Sequence, residues 1–192
     1  MSLQGVIFDL DGTVVENDYD WPRIREEIGT GQTSILGYLD SLAEPERSVK
    51  WSILERHEDR QTQDSVLREG IAELLALLRE RGVATALVTN NSKPNTEFLL
   101  AKFGLRFDYV ITREQGLWKP SGAPFREVLT KLGLGPGECA VVGDTAFDAL
   151  AALDAGIKTI FLLSDAPERF EGLPVEVFSG VDDLIDRLEE LI

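Results

Sequence analysis

The sequence holds a single cysteine, Cys139, a single histidine, His57, and one methionine. One thiol excludes an intrachain disulfide and any zinc site built on cysteines, and it fits a reducing compartment. Positive charge is scarce as well: 19 Lys and Arg stand against 34 Asp and Glu, for a formal charge of -15 and an isoelectric point near 4.4. Such a field repels phosphate backbones and anionic lipid, so neither nucleic acid nor a membrane surface is an expected partner. No apolar run approaches the ~20 residues that a bilayer span requires. The opening Met1-Ser2-Leu3-Gln4 lacks the basic and apolar regions of a signal peptide, and the cytoplasm is the expected location. What remains is 192 residues, 43% hydrophobic and 28% charged, enough for one core of ordinary size with a small insertion.

Apolar runs of strand character recur at Gly5 to Phe8, Val83 to Val88, Tyr109 to Ile111, Ala140 to Val142, Ile157 to Leu162 and Val175 to Phe178. Most are unbroken rather than alternating, as in parallel strands covered on both faces. Helical spacing lies between them. Ile71, Leu74, Leu75 and Leu78 make one stripe with Gly82 beyond its end, and Pro94 with Gly104, and Pro124 with Gly133, bracket two further helices. A helix from about Ala146 closes at Gly156, and Val181, Leu184, Ile185 and Leu188 line the last one. The alternation predicts an α/β fold: a doubly wound parallel sheet with right-handed crossovers.

One segment breaks the rhythm. Residues 14–69 contain no convincing strand, whereas helices are expected near Trp21 to Ile28, Ser34 to Ser41 and Pro45 to about Arg60. A structureless loop of that length is uncommon, so the segment reads as a small helical cap inserted after the first strand, with residues 1–13 and 70–192 as the core. Val14 to Asp18 and Arg60 to Asp64 are its expected hinges. A closing lid of this kind suits a small soluble substrate.

Polar residues interrupt the apolar strands at three places. Gly5-Val6-Ile7-Phe8 ends in Asp9-Leu10-Asp11-Gly12-Thr13, Ala86-Leu87-Val88 ends in Thr89-Asn90-Asn91, and Val141-Val142-Gly143 ends in Asp144-Thr145, with Asp148 four residues on. Ligands of open parallel sheets bind at the carboxyl ends of the strands, so these clusters are expected to converge. Asp9 and Asp11 can point into one crevice, where two carboxylates need a cation, a proton or both. With Asp144 they form an oxygen-rich set suited to Mg²⁺. Lys119 in Trp118-Lys119-Pro120 adds a point charge suited to phosphate oxygens or a carboxylate. Thr89 offers a hydroxyl and the N–H groups after it an anion site, which includes Asn90. Acids, metal and anion clamp together describe phosphoryl transfer to an aspartate.

These residues resemble the haloacid dehalogenase superfamily of phosphohydrolases. Asp9-x-Asp11-Gly12-Thr13-Val14 is similar to its first motif, Thr89 to its second, Lys119-Pro120 to its third and Gly143-Asp144-Thr145-x-x-Asp148 to its fourth. The resemblance implies a Rossmann-like core and an aspartyl phosphate on Asp9. It implies Asp11 as acid and then base, Thr89, Asn90 and Lys119 on the phosphoryl oxygens, and Mg²⁺ on Asp9, the Asp11 carbonyl and Asp144. Asp148 orients or joins that shell. The insertion is similar to a type 1 cap, short at about fifty-five residues, and the layout is nearest the phosphoglycolate phosphatase and phosphoglucomutase branch. The implied enzyme is a Mg²⁺-dependent phosphatase of a small phosphorylated metabolite, monomeric or homodimeric.

A phosphomutase shares every core motif, and a non-catalytic binding protein is the reading from a different class, against which the intact set of acids counts. A dehalogenase needs neither Asp11 nor Asp144, and a phosphonate hydrolase needs a Schiff-base lysine where the cap offers only Lys50. His57, among Arg56, Glu58, Asp59 and Arg60, reads as part of a solvated helix face. Trp21 and Trp51 read as cap core, Cys139 as a small apolar residue at a strand start, and Gly12 and Gly143 as turn residues beside the site.

Overall fold

The computed structural model describes residues 2–31 and 33–192. The chain forms two compact units, one reaching to Glu16 and resuming at Leu67, the other spanning Asn17–Val66. In the larger unit six parallel strands form one sheet: β1 (Gly5–Phe8), β4 (Ala84–Val88), β5 (Tyr109–Ile111), β6 (Cys139–Gly143), β7 (Thr159–Leu163) and β8 (Glu176–Phe178). Their spatial order is β5-β4-β1-β6-β7-β8, with Ile7 opposite Ala86 on one side and Val141 on the other. The chain winds outward from β1 to β4 and β5, then crosses back to β6. The order therefore reverses around β1, where a doubly wound sheet opens its crevice.

Alternation along the strands divides the core. Val6 and Phe8 face one side with Leu87, Val142 and Phe161, covered by α4 (Ile71–Glu80) and α8 (Val181–Glu189). Ile7 faces the other with Val88, Val141 and Leu162, covered by α6 (Ala123–Leu132) and α7 (Ala146–Asp154). Apolar residues on both faces of each strand are the reason the runs are unbroken. α5 (Lys93–Phe103) follows β4, its first turn closed by the Ser92 hydroxyl, which accepts from the Asn95 N–H at 3.3 Å. Gly104 and Gly133 end α5 and α6 in the left-handed conformation, as the sequence predicts.

The smaller unit is built from α1 (Trp21–Ile28), α2 (Ile35–Ser41) and α3 (Glu46–Asp64). Asp20 caps α1 by accepting from the Arg23 N–H at 3.1 Å. Ile24, Ile28, Ile35, Leu36, Leu39 and Leu54 are its buried apolar residues. Glu27 ties the helices together, bonded by Arg23 at 3.0 Å, Arg56 at 3.0 Å and His57 at 3.1 Å. The His57 contact first, and then that of Arg23, hold the Glu27 carboxyl below the usual range. His57 is thus engaged with Glu27 rather than merely solvated.

Three expectations need correction. The segment does contain strand: β2 (Val15–Glu16) and β3 (Val66–Leu67) form a two-stranded sheet, too short for a periodic signal. Arg60 to Asp64 is not a stretch between elements but the last turn of α3, because no Gly or Pro interrupts the helix after Glu46. The chain turns instead at Ser65, whose hydroxyl donates to the Gln61 carbonyl at 2.7 Å. Trp21 is not core: it is 42% exposed and stacks on Tyr19 at 4.6 Å, overhanging the start of α1.

Cys139 opens β6 fully buried. Burial and then the neighbouring Glu138 charge push its thiol up to about 11. Because thiolate is the reactive form, the folded protein should give no reaction with an aromatic disulfide reagent at pH 8, and one equivalent in urea. Rapid labelling of the folded protein would show that β6 is not closed at that end.

Candidate active site

The loop leaving β1 is wound tightly. The N–H groups of Thr13, Val14 and Val15 all point to the Leu10 carbonyl at 3.3, 2.9 and 3.0 Å, which turns Asp9 and Asp11 out of the strand together. Gly12 makes this possible at φ +80°: a Cβ there would stand 2.2 Å from Asp144 Oδ2. From the turn between Leu67 and α4, Arg68 reaches back to the same loop. Its Nη2 and Nε donate to the Gly12 and Thr13 carbonyls at 2.7 and 3.0 Å, and Nη1 pairs with Glu16 at 3.3 Å.

At the end of β6, Gly143 leaves just enough room for Asp148, whose Cβ and Cγ would lie 2.5 Å from a side chain at that position. Asp148 is fully buried on the first turn of α7. Its Oδ2 accepts from the Thr145 N–H at 3.0 Å and hydroxyl at 2.7 Å, a capping box that sets the turn holding Asp144. Its Oδ1 accepts from Lys119 Nζ at 2.6 Å, and the same ammonium lies 2.6 Å from Asp9 Oδ1.

Lys119 therefore joins β1 to α7 inside the protein. Burial alone would lower its pKa, but the Asp148 and Asp9 charges outweigh that and hold it above the usual lysine range. Burial pushes the Asp9 carboxyl well up, against the pull of Lys119. Burial and the Asp148 charge push Asp144 up to about 7. Ligand oxygens of Asp9, Asp144 and Asp148 lie within 4.8 Å of one another. One ammonium does not balance them, and the donor set is all oxygen. These residues fit a hard divalent cation such as Mg²⁺.

The β4 end contributes Thr89, Asn90 and Asn91. The Thr89 hydroxyl accepts from the Asn91 N–H at 3.0 Å. Asn90 is a clamp on Lys119: its Nδ2 donates to the Lys119 carbonyl at 3.0 Å and its Oδ1 accepts from the Lys119 N–H at 2.9 Å. Asn91 donates from Nδ2 to Asp11 Oδ2 at 2.9 Å.

Contacts thus link Asp9, Lys119, Asp148 and Asn90 directly, Asp144 through the Thr145 turn, and Asp11 with Thr89 through Asn91. The sequence places Asn91 in the polar cluster after β4 without indicating its role, and it does not point to Arg68 at all. A second asparagine beside Asn90 was the only available signal for the first. Nothing marks Arg68, fifty-seven positions beyond Asp11.

A doubly wound sheet with clustered acids at the reversal of strand order is an arrangement suited to phosphoryl transfer. Residues 19–156 match the profile described as haloacid dehalogenase-like hydrolase, and the chain belongs to that family. The match takes in Thr89, Lys119, Asp144 and Asp148 and begins after Asp9 and Asp11. Across 99% of its length the chain is 29% identical to an uncharacterized hydrolase of Saccharomyces cerevisiae, covering 89% of that protein. It is also 29% identical to the phosphoglycolate phosphatase of Pectobacterium atrosepticum, over 83% of this chain and 80% of the relative. A hydrolase from Pseudomonas syringae has a similar fold, with TM-score 0.79 at 20% identity over 98% of this chain and 99% of that one.

Removing one member of a buried ion pair leaves its partner uncompensated, at a cost of about 3–5 kcal/mol. Lys119→Met should lose stability on that scale in urea, and adding Asp148→Asn should restore part of it. A Lys119→Met protein as stable as its parent would mean that the ammonium does not hold these elements together.

Proposed function

We propose that the protein is a Mg²⁺-dependent phosphatase that hydrolyses a small phosphorylated metabolite through an aspartyl phosphate on Asp9. The observation that carries this reading is the group of buried Asp9, Lys119 and Asp148 with half-buried Asp144 at the strand ends, and Asp11 beside it. The kinship with a phosphoglycolate phosphatase supports a phosphate ester as substrate.

In this reading a carboxylate oxygen of Asp9 attacks phosphorus and the bond from phosphorus to the ester oxygen breaks. Asp11 gives the departing alkoxide its proton. Asp11 then takes a proton from a water that attacks the aspartyl phosphate, releasing inorganic phosphate and restoring Asp9. Lys119 neutralises the phosphoryl oxygens while staying tethered to Asp148. The Thr89 oxygen already accepts from Asn91, so its own proton is left to donate to a phosphoryl oxygen. Asn90 contributes through Lys119 and its backbone N–H. Asp9, the Asp11 carbonyl and Asp144 would hold Mg²⁺, with Asp148 supporting the set. The bound ion supplies positive charge for the crowded acids and the phosphoryl group.

The unit Asn17–Val66 takes the part of a cap that selects substrate. Residues 14–69 carry thirteen Asp or Glu against seven Lys or Arg, so attraction for an anionic ester falls to the metal and Lys119. The shortness of the unit favours water over a second sugar hydroxyl as acceptor, and with it a phosphatase over a phosphomutase.

Phosphate release across a panel of sugar, acid and nucleotide monophosphates with Mg²⁺ tests the reading. Asp9→Asn should lower turnover at least about a hundredfold with the fold retained, and chelator should abolish it. Activity of Asp9→Asn within tenfold of the parent would remove Asp9 as nucleophile, and full activity in chelator would remove the metal.

A further inference from the structure

We propose that Asn91 is the positioning residue for Asp11, aiming its carboxyl and deciding which oxygen carries the proton given to the leaving group; this rests on the phosphatase reading above. Asn91 is 3% exposed and held on several sides. Its N–H donates to the Thr89 hydroxyl at 3.0 Å, and its carbonyl accepts from the Arg113 N–H at 3.3 Å. Its side-chain Oδ1 accepts from the Ser92 N–H at 2.7 Å.

That last contact fixes the amide. A backbone N–H can be met only by an oxygen, so the NH₂ group must face the other way, and there it meets Asp11 Oδ2 at 2.9 Å. In a protonated carboxyl the carbonyl oxygen is the better acceptor. With a fixed N–H aimed at Oδ2, the proton is carried on Oδ1 and the carboxyl is held against rotation. Asn91 touches neither substrate nor metal in this scheme; it acts through Asp11.

Such a role has a signature that general structural support lacks. An alkoxide leaving group needs a proton in the transition state, whereas p-nitrophenolate leaves with little help. The ratio of kcat/KM on the best alkyl monophosphate of the panel to kcat/KM on p-nitrophenyl phosphate therefore isolates proton donation. Both values report steps up to departure of the alcohol.

Asn91→Ala removes all three side-chain contacts: the donor to Asp11 and the oxygen that accepts from the Ser92 N–H and, at 3.5 Å, from Asn95 Nδ2. Asn91→Asp keeps an oxygen for the Ser92 N–H and puts a carboxylate oxygen, with its added negative charge, where the donor to Asp11 stood. Measured at pH 8 with Mg²⁺, both variants should lower the ratio by about tenfold, the scale of one hydrogen bond to a charged group. Asp11→Asn, as the reference, should lower it further. A normal ratio in both Asn91 variants beside a lowered one in Asp11→Asn overturns the role of Asn91 and leaves the phosphatase reading standing. A normal ratio in Asn91→Asp with a lowered one in Asn91→Ala assigns the effect to the Ser92 contact and also overturns it. An unchanged ratio in Asp11→Asn removes Asp11 as the acid, and the proposal with it.

Discussion

A buried ammonium shared between two carboxylates is the constraint on which the rest of the site depends. Lys119 sits 2.6 Å from both Asp9 and Asp148, where any of the three left alone would be a charge stranded in a poor solvent. The arrangement propagates outward. Asp148 can serve Lys119 with one oxygen only because its other oxygen is occupied by the Thr145 turn, and that turn aims Asp144. Lys119 can serve Asp148 only because Asn90 holds its backbone from both sides. Three strand ends are thereby locked by polar contacts whose members lie far apart in sequence.

The sheet supplies what those contacts cannot. Strands β4, β1 and β6 are neighbours in register, so the residues following Phe8, Val88 and Gly143 emerge side by side. Apolar cover on both faces fixes the strands, and the change to polar residues comes where that cover ends. Stability and chemistry are thus divided along each strand rather than between strands.

That division is why so much could be read from the sequence. Unbroken apolar runs gave the parallel sheet, and the abrupt Asp, Thr and Asp endings gave Asp9, Thr89 and Asp144. The side-chain directions within a loop were not legible. Asn90 and Asn91 are chemically identical neighbours, yet one clamps Lys119 and the other meets Asp11. Their difference is set by the Thr89 hydroxyl and the Ser92 N–H, which only the folded turn brings into place. Asp148 is expected at the site from its motif, but the depth of its burial depends on the missing side chain of Gly143, which the sequence alone does not show. Trp21 shares its helical phase with Ile24, but at the first turn it lies beyond the layer that Ile24 and Ile28 bury. The end of α3 was misplaced because a polar sequence without Gly or Pro carries no stop signal before Ser65.

Arg68 gives the loop after β1 a mechanical property. The chain runs from Asp11 through Gly12 and Thr13 to β2, and from there into the Asn17–Val66 unit. Arg68, where the chain has come back, grips the Gly12 and Thr13 carbonyls and Glu16. It works like the strain relief on a cable: a pull along β2 is taken up by the guanidinium before it reaches the peptide of Asp11. The guanidinium thus pins the outgoing and returning stretches of chain to each other within the larger unit.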